Sequence, residues 1–142
     1  LGRRGIIALR EVEIRSGEGG SADRSPGEVT DIYVTATVRG LTEATFDQVR
    51  VIIEVKGCWH RELKTAMETQ LVERYLKDND CHHGIYVVGW FMSPQWDKDD
   101  SRKKSTPKLT IAEAQSLFDK QAEDLSVNDL SIRAVVLNTS LR

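Results

Sequence analysis

The ten residues Val49 to Cys58, VRVIIEVKGC, constrain this chain more than any other segment. Their density of β-branched residues predicts a strand, and the apolar content predicts burial on both faces, as in the centre of a sheet. Two charged residues interrupt the run. Glu54 and Lys56 are two apart, so in a strand they leave the same face roughly 7 Å apart along the chain, while Val51, Ile53 and Val55 take the other. A carboxylate and an ammonium in mid-sheet cost desolvation energy unless they pair with each other, a metal or a substrate. The position therefore asks for a chemical reason.

What surrounds this strand can be read by period. Ile6 to Arg15 (IIALREVEIR) predicts a first strand, followed by the glycine- and serine-rich loop SGEGGSADRSPGE. From Asp31 to Val38 the pattern alternates, with Ile32, Val34, Ala36 and Val38 on one face and Asp31, Tyr33, Thr35 and Thr37 on the other, which predicts a half-buried strand. Gly40 to Asp47 turns the chain into the central strand. Beyond Gly57 the period lengthens: Leu63, Ala66, Met67, Leu71, Tyr75 and Leu76 predict a helix from Arg61 to about Lys77. Gly84 to Phe91 predicts the next strand, parallel to the central one because a helix connects them. Ser93 to Pro107 reads as an exposed polar loop. Thr110 and Glu113 make a capping-box pattern for a helix whose inner face carries Ile111, Ala114, Phe118, Ala122 and Leu125, and Ile132 to Leu137 predicts a last strand.

A length of 142 residues is enough for one core and too short for two, so one α/β domain is expected over 1–142. The apolar runs are too short to span a bilayer. A formal charge of −2 argues against a protein that coats nucleic acid by charge alone, so a polyanion contact would have to be local. The chain starts at Leu1 with no signal-peptide pattern, and this reads as a fragment of a longer polypeptide. Two cysteines, Cys58 and Cys81, are too few for a disulfide framework, so a cytoplasmic location is expected.

Asp31 opens the polar face of the strand preceding Val49 to Cys58 and could add a second carboxylate to Glu54, giving an oxygen site suited to Mg2+. Asp31, the triplet Glu54-Val55-Lys56 and the helix after it resemble the PD-(D/E)xK nuclease superfamily over roughly Ile6 to Phe91. The resemblance implies a restriction-endonuclease-like mixed central sheet with a βββαβ core, flanked by helices, to which this chain adds a C-terminal helix and strand. It also implies a Mg2+-dependent endonuclease, with Mn2+ as an alternative metal, acting on nucleic acid and on DNA in particular. By position, Asp31 and Glu54 would be metal ligands and Lys56 the catalytic lysine. Gln70 and Tyr75 resemble a glutamine–tyrosine pair that some branches carry on the next helix. Thr30 stands where the family has proline, and Gln70 and Tyr75 are one residue further apart than that pair.

Gln70 borders the inward stripe of its helix and is expected to bond Lys56, a ligated carboxylate or a substrate phosphate. The same resemblance suggests an effector in restriction or anti-phage defence, with the other domains of the parent protein and a second copy of the chain as protein partners, and no membrane. The alternative is a catalytically inactive nuclease-like module that binds nucleic acid or mediates assembly.

Two other groups of residues carry recognisable chemistry. Cys58, His60, Cys81, His82 and His83 have zinc-ligating chemistry, but the topology expected here places the two sets at opposite ends of parallel strands. Trp59, Trp90, Phe91 and Trp96 have the chemistry to stack bases. Trp90 and Phe91 read as packing residues, and Trp96, beside the basic stretch Arg102-Lys103-Lys104, as the better contact residue.

Overall fold

The structure, a computed structural model, describes residues 5–14, 28–39 and 46–140. Among these residues five strands form one mixed sheet in the order β1 (Gly5–Ile14), β2 (Glu28–Arg39), β3 (Phe46–Gly57), β4 (His83–Trp90) and β5 (Ser131–Asn138). The first three form an antiparallel meander, whereas β3, β4 and β5 run parallel. Parallel neighbours need crossover connections. One is supplied by helix α1 (Met67–Leu76), the other by the short helix α2 (Ser101–Ser105) followed by α3 (Ile111–Leu125). The predicted loop Ser16 to Glu28 falls, up to residue 27, outside the described residues, as does the turn over 40–45.

Helices α1 and α3 pack on the same face of the sheet. Ile52 of β3, Tyr86, Val88 and Trp90 of β4 and Ile132 of β5 meet Met67, Leu71 and Leu76 of α1 and Ala114, Phe118 and Ala122 of α3. Contact is close at Gly84, where an added Cβ would lie 3.1 Å from Leu71 and 3.1 Å from Leu76, so a side chain there would push α1 off the sheet. The rings of Tyr86 and Phe118 sit 5.8 Å apart across the other helix contact.

The opposite face carries Val55, Val135 and Leu137, all exposed. This corrects the expectation that β3 is buried on both faces. Among the described residues, the apolar run of β3 fills one covered face and continues onto an open one. The face of β2 that starts with Asp31 also departs from expectation: Tyr33, level with Ile52, packs against the core.

Local chemistry explains the element ends. Thr110 caps α3 with both bonds of a capping box, and Glu113 returns one to the Thr110 backbone at 2.7 Å. Asn128 and Asp129 take positive φ in the turn into β5, a conformation these residue types tolerate. Gln115 of α3 reaches over edge strand β5, accepting from the Val136 amide at 2.8 Å and donating to the Ala134 carbonyl at 3.1 Å. Backbone groups that would otherwise invite another strand are thereby occupied.

Helix α1 is wound with the wide i→i+5 bonding of a π-helix and starts later than the periodicity predicts, after turns through residues 61–65. Residues 101–105 of the predicted loop form α2, and Trp96 and Thr106 beside it are buried.

Candidate functional site

Glu54 and Lys56 leave β3 on the helix-covered side, as their spacing predicts. Glu54 is 2% exposed, among the largest fully buried side chains, and the Lys56 ammonium donates to its carboxylate. Lys56 retains 13% exposure. The pair therefore reaches from the core to the surface near the carboxyl end of a central parallel strand, the edge where open α/β sheets place their ligands.

Beside Glu54 on β4 lies Tyr86, in register with it, whose hydroxyl donates to the Leu63 carbonyl at 2.8 Å. Burial, and after it the charge of Glu54, holds the Tyr86 phenol well above its ordinary pKa. On the other flank Ile32 of β2 pairs with Ile53, which sets the backbone of Asp31 next to that of Glu54. The Asp31 side chain lies outside the described residues. Among those residues no three His, Cys, Asp or Glu side chains gather into a metal-holding group.

Gln70 does not join the pair in the way expected of it. Its amide donates to Glu62 at 2.8 Å, tying α1 to the turn that leads into it. In that turn the Glu62 backbone amide bonds the imidazole of His60 at 3.1 Å. The sequence contains Glu62, but an exposed-looking acid at a helix start gives no periodic signal to single it out. Tyr86 is likewise read from sequence only as a strand residue, since its pairing with Glu54 depends on the β3–β4 register.

The cysteines are packed. Cys58 follows β3 and accepts from the Phe91 amide at 3.3 Å, whereas Cys81 precedes β4 and donates to the Arg50 carbonyl at 3.3 Å. They sit at opposite ends of the parallel pair, and burial pushes the Cys81 thiol up, away from the thiolate that a metal requires.

A second constellation closes the carboxyl edge of β3 and β4. Trp59, Phe91 and Trp96 meet edge to face: Trp96 lies 4.8 Å from Phe91 and 6.1 Å from Trp59, each at 77°. The Arg102 guanidinium covers the Trp59 ring at 5.6 Å. The Asp100 carboxylate organises the group, accepting from the Trp96 indole at 3.0 Å and from the Arg102 guanidinium at 2.8 Å. Those bonds, Arg102 first and Trp96 next, hold the Asp100 carboxyl well below the usual range. Trp90, expected to be a packing residue, is fully buried; its indole nitrogen has no hydrogen-bond partner among the described residues.

A family model described as a domain of unknown function, DUF8371, matches residues 35–93. The match takes in Glu54, Lys56, Gln70, Tyr86, Trp59 and Phe91 and stops short of Asp31 and of the second crossover. No curated protein and no solved structure matches the chain.

Proposed function

We propose that this domain is a metal-dependent nuclease of the PD-(D/E)xK type that hydrolyses phosphodiester bonds, with DNA as its substrate. The observation that carries this reading is the buried Glu54 carboxylate in contact with Lys56 near the carboxyl end of the central strand, with the Asp31 backbone alongside. The succession of three antiparallel strands, a helix and a strand parallel to the third supports a restriction-endonuclease-like core.

Glu54 and Asp31 are hard oxygen donors, and Mg2+ commonly takes one or two carboxylates and fills its remaining positions with water and phosphate oxygens, so these residues fit Mg2+, or Mn2+ in its place. When bound, such an ion supplies a more acidic water and neutralises charge on a phosphate. In this reading Lys56, in contact with the Glu54 carboxylate, would orient that water or meet the negative charge that develops on the phosphate. Gln70 bonds Glu62, and in this reading it would help position the reacting groups. The effector role in restriction or defence rests on the same resemblance.

A second reading is favoured by the same contact. Glu54 and Lys56 satisfy each other, so the pair also suits a silent module that binds nucleic acid or mediates assembly. Incubating plasmid and single-stranded DNA with Mg2+ or Mn2+ and the wild type, Glu54→Ala and Lys56→Ala separates the two. The nuclease reading expects cleavage by wild type alone, with loss of at least a hundredfold in either variant. Equal residual cleavage by all three proteins sinks it, and retained DNA binding without cleavage selects the silent module.

A further inference from the structure

The aromatic group at the carboxyl edge encloses space. Trp59, Phe91, Trp96 and Arg102, together with Gln95 and Asp97, line a cavity of about 390 Å³. That is within the range of sites for small organic ligands, roughly 300–1,000 Å³. We propose that it binds a planar nitrogenous base, taken from a free nucleotide or from an unpaired position of a single strand. The proposal does not depend on hydrolysis at Glu54.

Three observations favour a base. The walls are aromatic faces and edges held in fixed orientation, since the Asp100 carboxylate fastens both the Trp96 indole and the Arg102 guanidinium, and Lys103 donates to the Trp96 carbonyl at 2.8 Å. A preformed aromatic wall suits a flat π system, and every base offers one. Next, the place over Trp59 that a cationic ligand would seek is already held by Arg102 at 5.6 Å. Its charge repels an ammonium, while the guanidinium plane that covers Trp59 is itself a surface on which a neutral ring can stack. Finally, Gln95 and Asp97 are among the lining residues, and amide and carboxylate oxygens accept from exocyclic amino and ring N–H donors on a base edge; one Asp97 oxygen also accepts from the Asp99 amide at 2.9 Å. An acid in the lining favours bases bearing an amino group.

The cavity is built into the fold at Gly57. A Cβ there would lie 2.7 Å from the Trp59 indole, so only glycine admits this wall. Trp59 is three residues beyond Lys56, which limits the separation of their backbones to about 11 Å. Gly57 faces the open side of the sheet and Lys56 the covered side. A strand engaging both would cross the sheet edge, with a base on one side and a phosphate on the other.

Calorimetric titration tests the proposal with AMP, CMP and UMP and with hexamers of deoxyadenylate and deoxythymidylate, in the presence of EDTA. AMP and CMP should bind several-fold more tightly than UMP. Trp59→Ala should weaken AMP at least tenfold, Trp59→Phe should keep most of the affinity, and Glu54→Gln should leave it unchanged. A hexamer of deoxyadenylate that binds at least tenfold better than AMP identifies a strand as the source of the base; equal affinity identifies the free nucleotide. No binding by any of these probes overturns the proposal. So does AMP affinity that survives in a Trp59→Ala protein of native circular dichroism, or displacement of AMP by tetramethylammonium. Because Glu54→Gln removes a proposed metal ligand and spares the cavity, loss of cleavage with retained AMP binding separates this proposal from the nuclease reading.

Discussion

Two acid–base pairs in this chain share one spacing and live in opposite surroundings. Glu54 and Lys56 are two residues apart on a strand, with the carboxylate buried in the core. Asp100 and Arg102 are also two apart, but they meet across the first residues of a short helix, where the Arg102 side chain is 59% exposed. A strand puts i and i+2 on one face by its pleat, whereas the second pair needs an extended Asp100 whose carboxylate folds back over the Arg102 amide at 2.8 Å. The buried pair is costly to break because removing one partner leaves a charge without water. The exposed pair is cheap to break, and its value is in fixing two aromatic rings.

The strongest way to break this comparison is Lys56→Met. It removes the ammonium that the buried Glu54 carboxylate bonds and should cost about 3–5 kcal/mol in urea unfolding. Glu54→Leu combined with Lys56→Met should recover most of that loss, because burial of an apolar pair carries no charge penalty. A cost below about 1 kcal/mol for the single variant would place the pair effectively in solvent.

Tyr86→Phe sharpens the buried side. It leaves the Leu63 carbonyl without its donor, at an expected cost of about 1–3 kcal/mol by the same measurement. It should also change alkaline behaviour. The folded state holds the Tyr86 proton more tightly than the unfolded chain, so the associated stability is complete below about pH 10 and is lost as pH rises beyond it. Wild type should show a falling limb in that range, which the phenylalanine variant reduces.

Asp100→Asn tests the exposed side at the other end of the pH scale. The folded state holds this carboxyl below its unfolded value, so its contribution is complete above about pH 4 and fades on further acidification. Thermal melts at pH 7 and pH 3 should therefore differ less in the variant than in wild type. The smallest effect on stability belongs to Arg102→Met, which should lower the urea midpoint at pH 7 only slightly while altering the near-ultraviolet circular dichroism of the Trp59–Trp96 pair.

Legibility in the sequence followed the range of the interactions. The strand alternation around Glu54, the capping box of Thr110 and Glu113, and the parallel relation of β3 and β4 were readable because each depends on neighbours a few residues away or on the length of one connection. Gln70 was readable as a polar residue needing a partner, but Glu62 could not be named as that partner, since the turn before α1 and its π winding decide which side chain comes within reach. The open face of β3 was missed for a similar reason. An apolar run looks alike whether a second layer covers it or not.

By itself the sequence determined that Glu54 and Lys56 share a face, that a helix follows them, and that a tryptophan lies just beyond the strand. The pleat, the helical period and chain connectivity are local and leave little choice. Tertiary structure alone decided that this face is the covered one, that Tyr86 stands level with Glu54, and that Trp59, Phe91, Trp96 and Arg102 enclose one cavity. These depend on strand register and on a crossover that brings residues 91–102 back over residue 59, and such long-range placement is set by packing of the whole core.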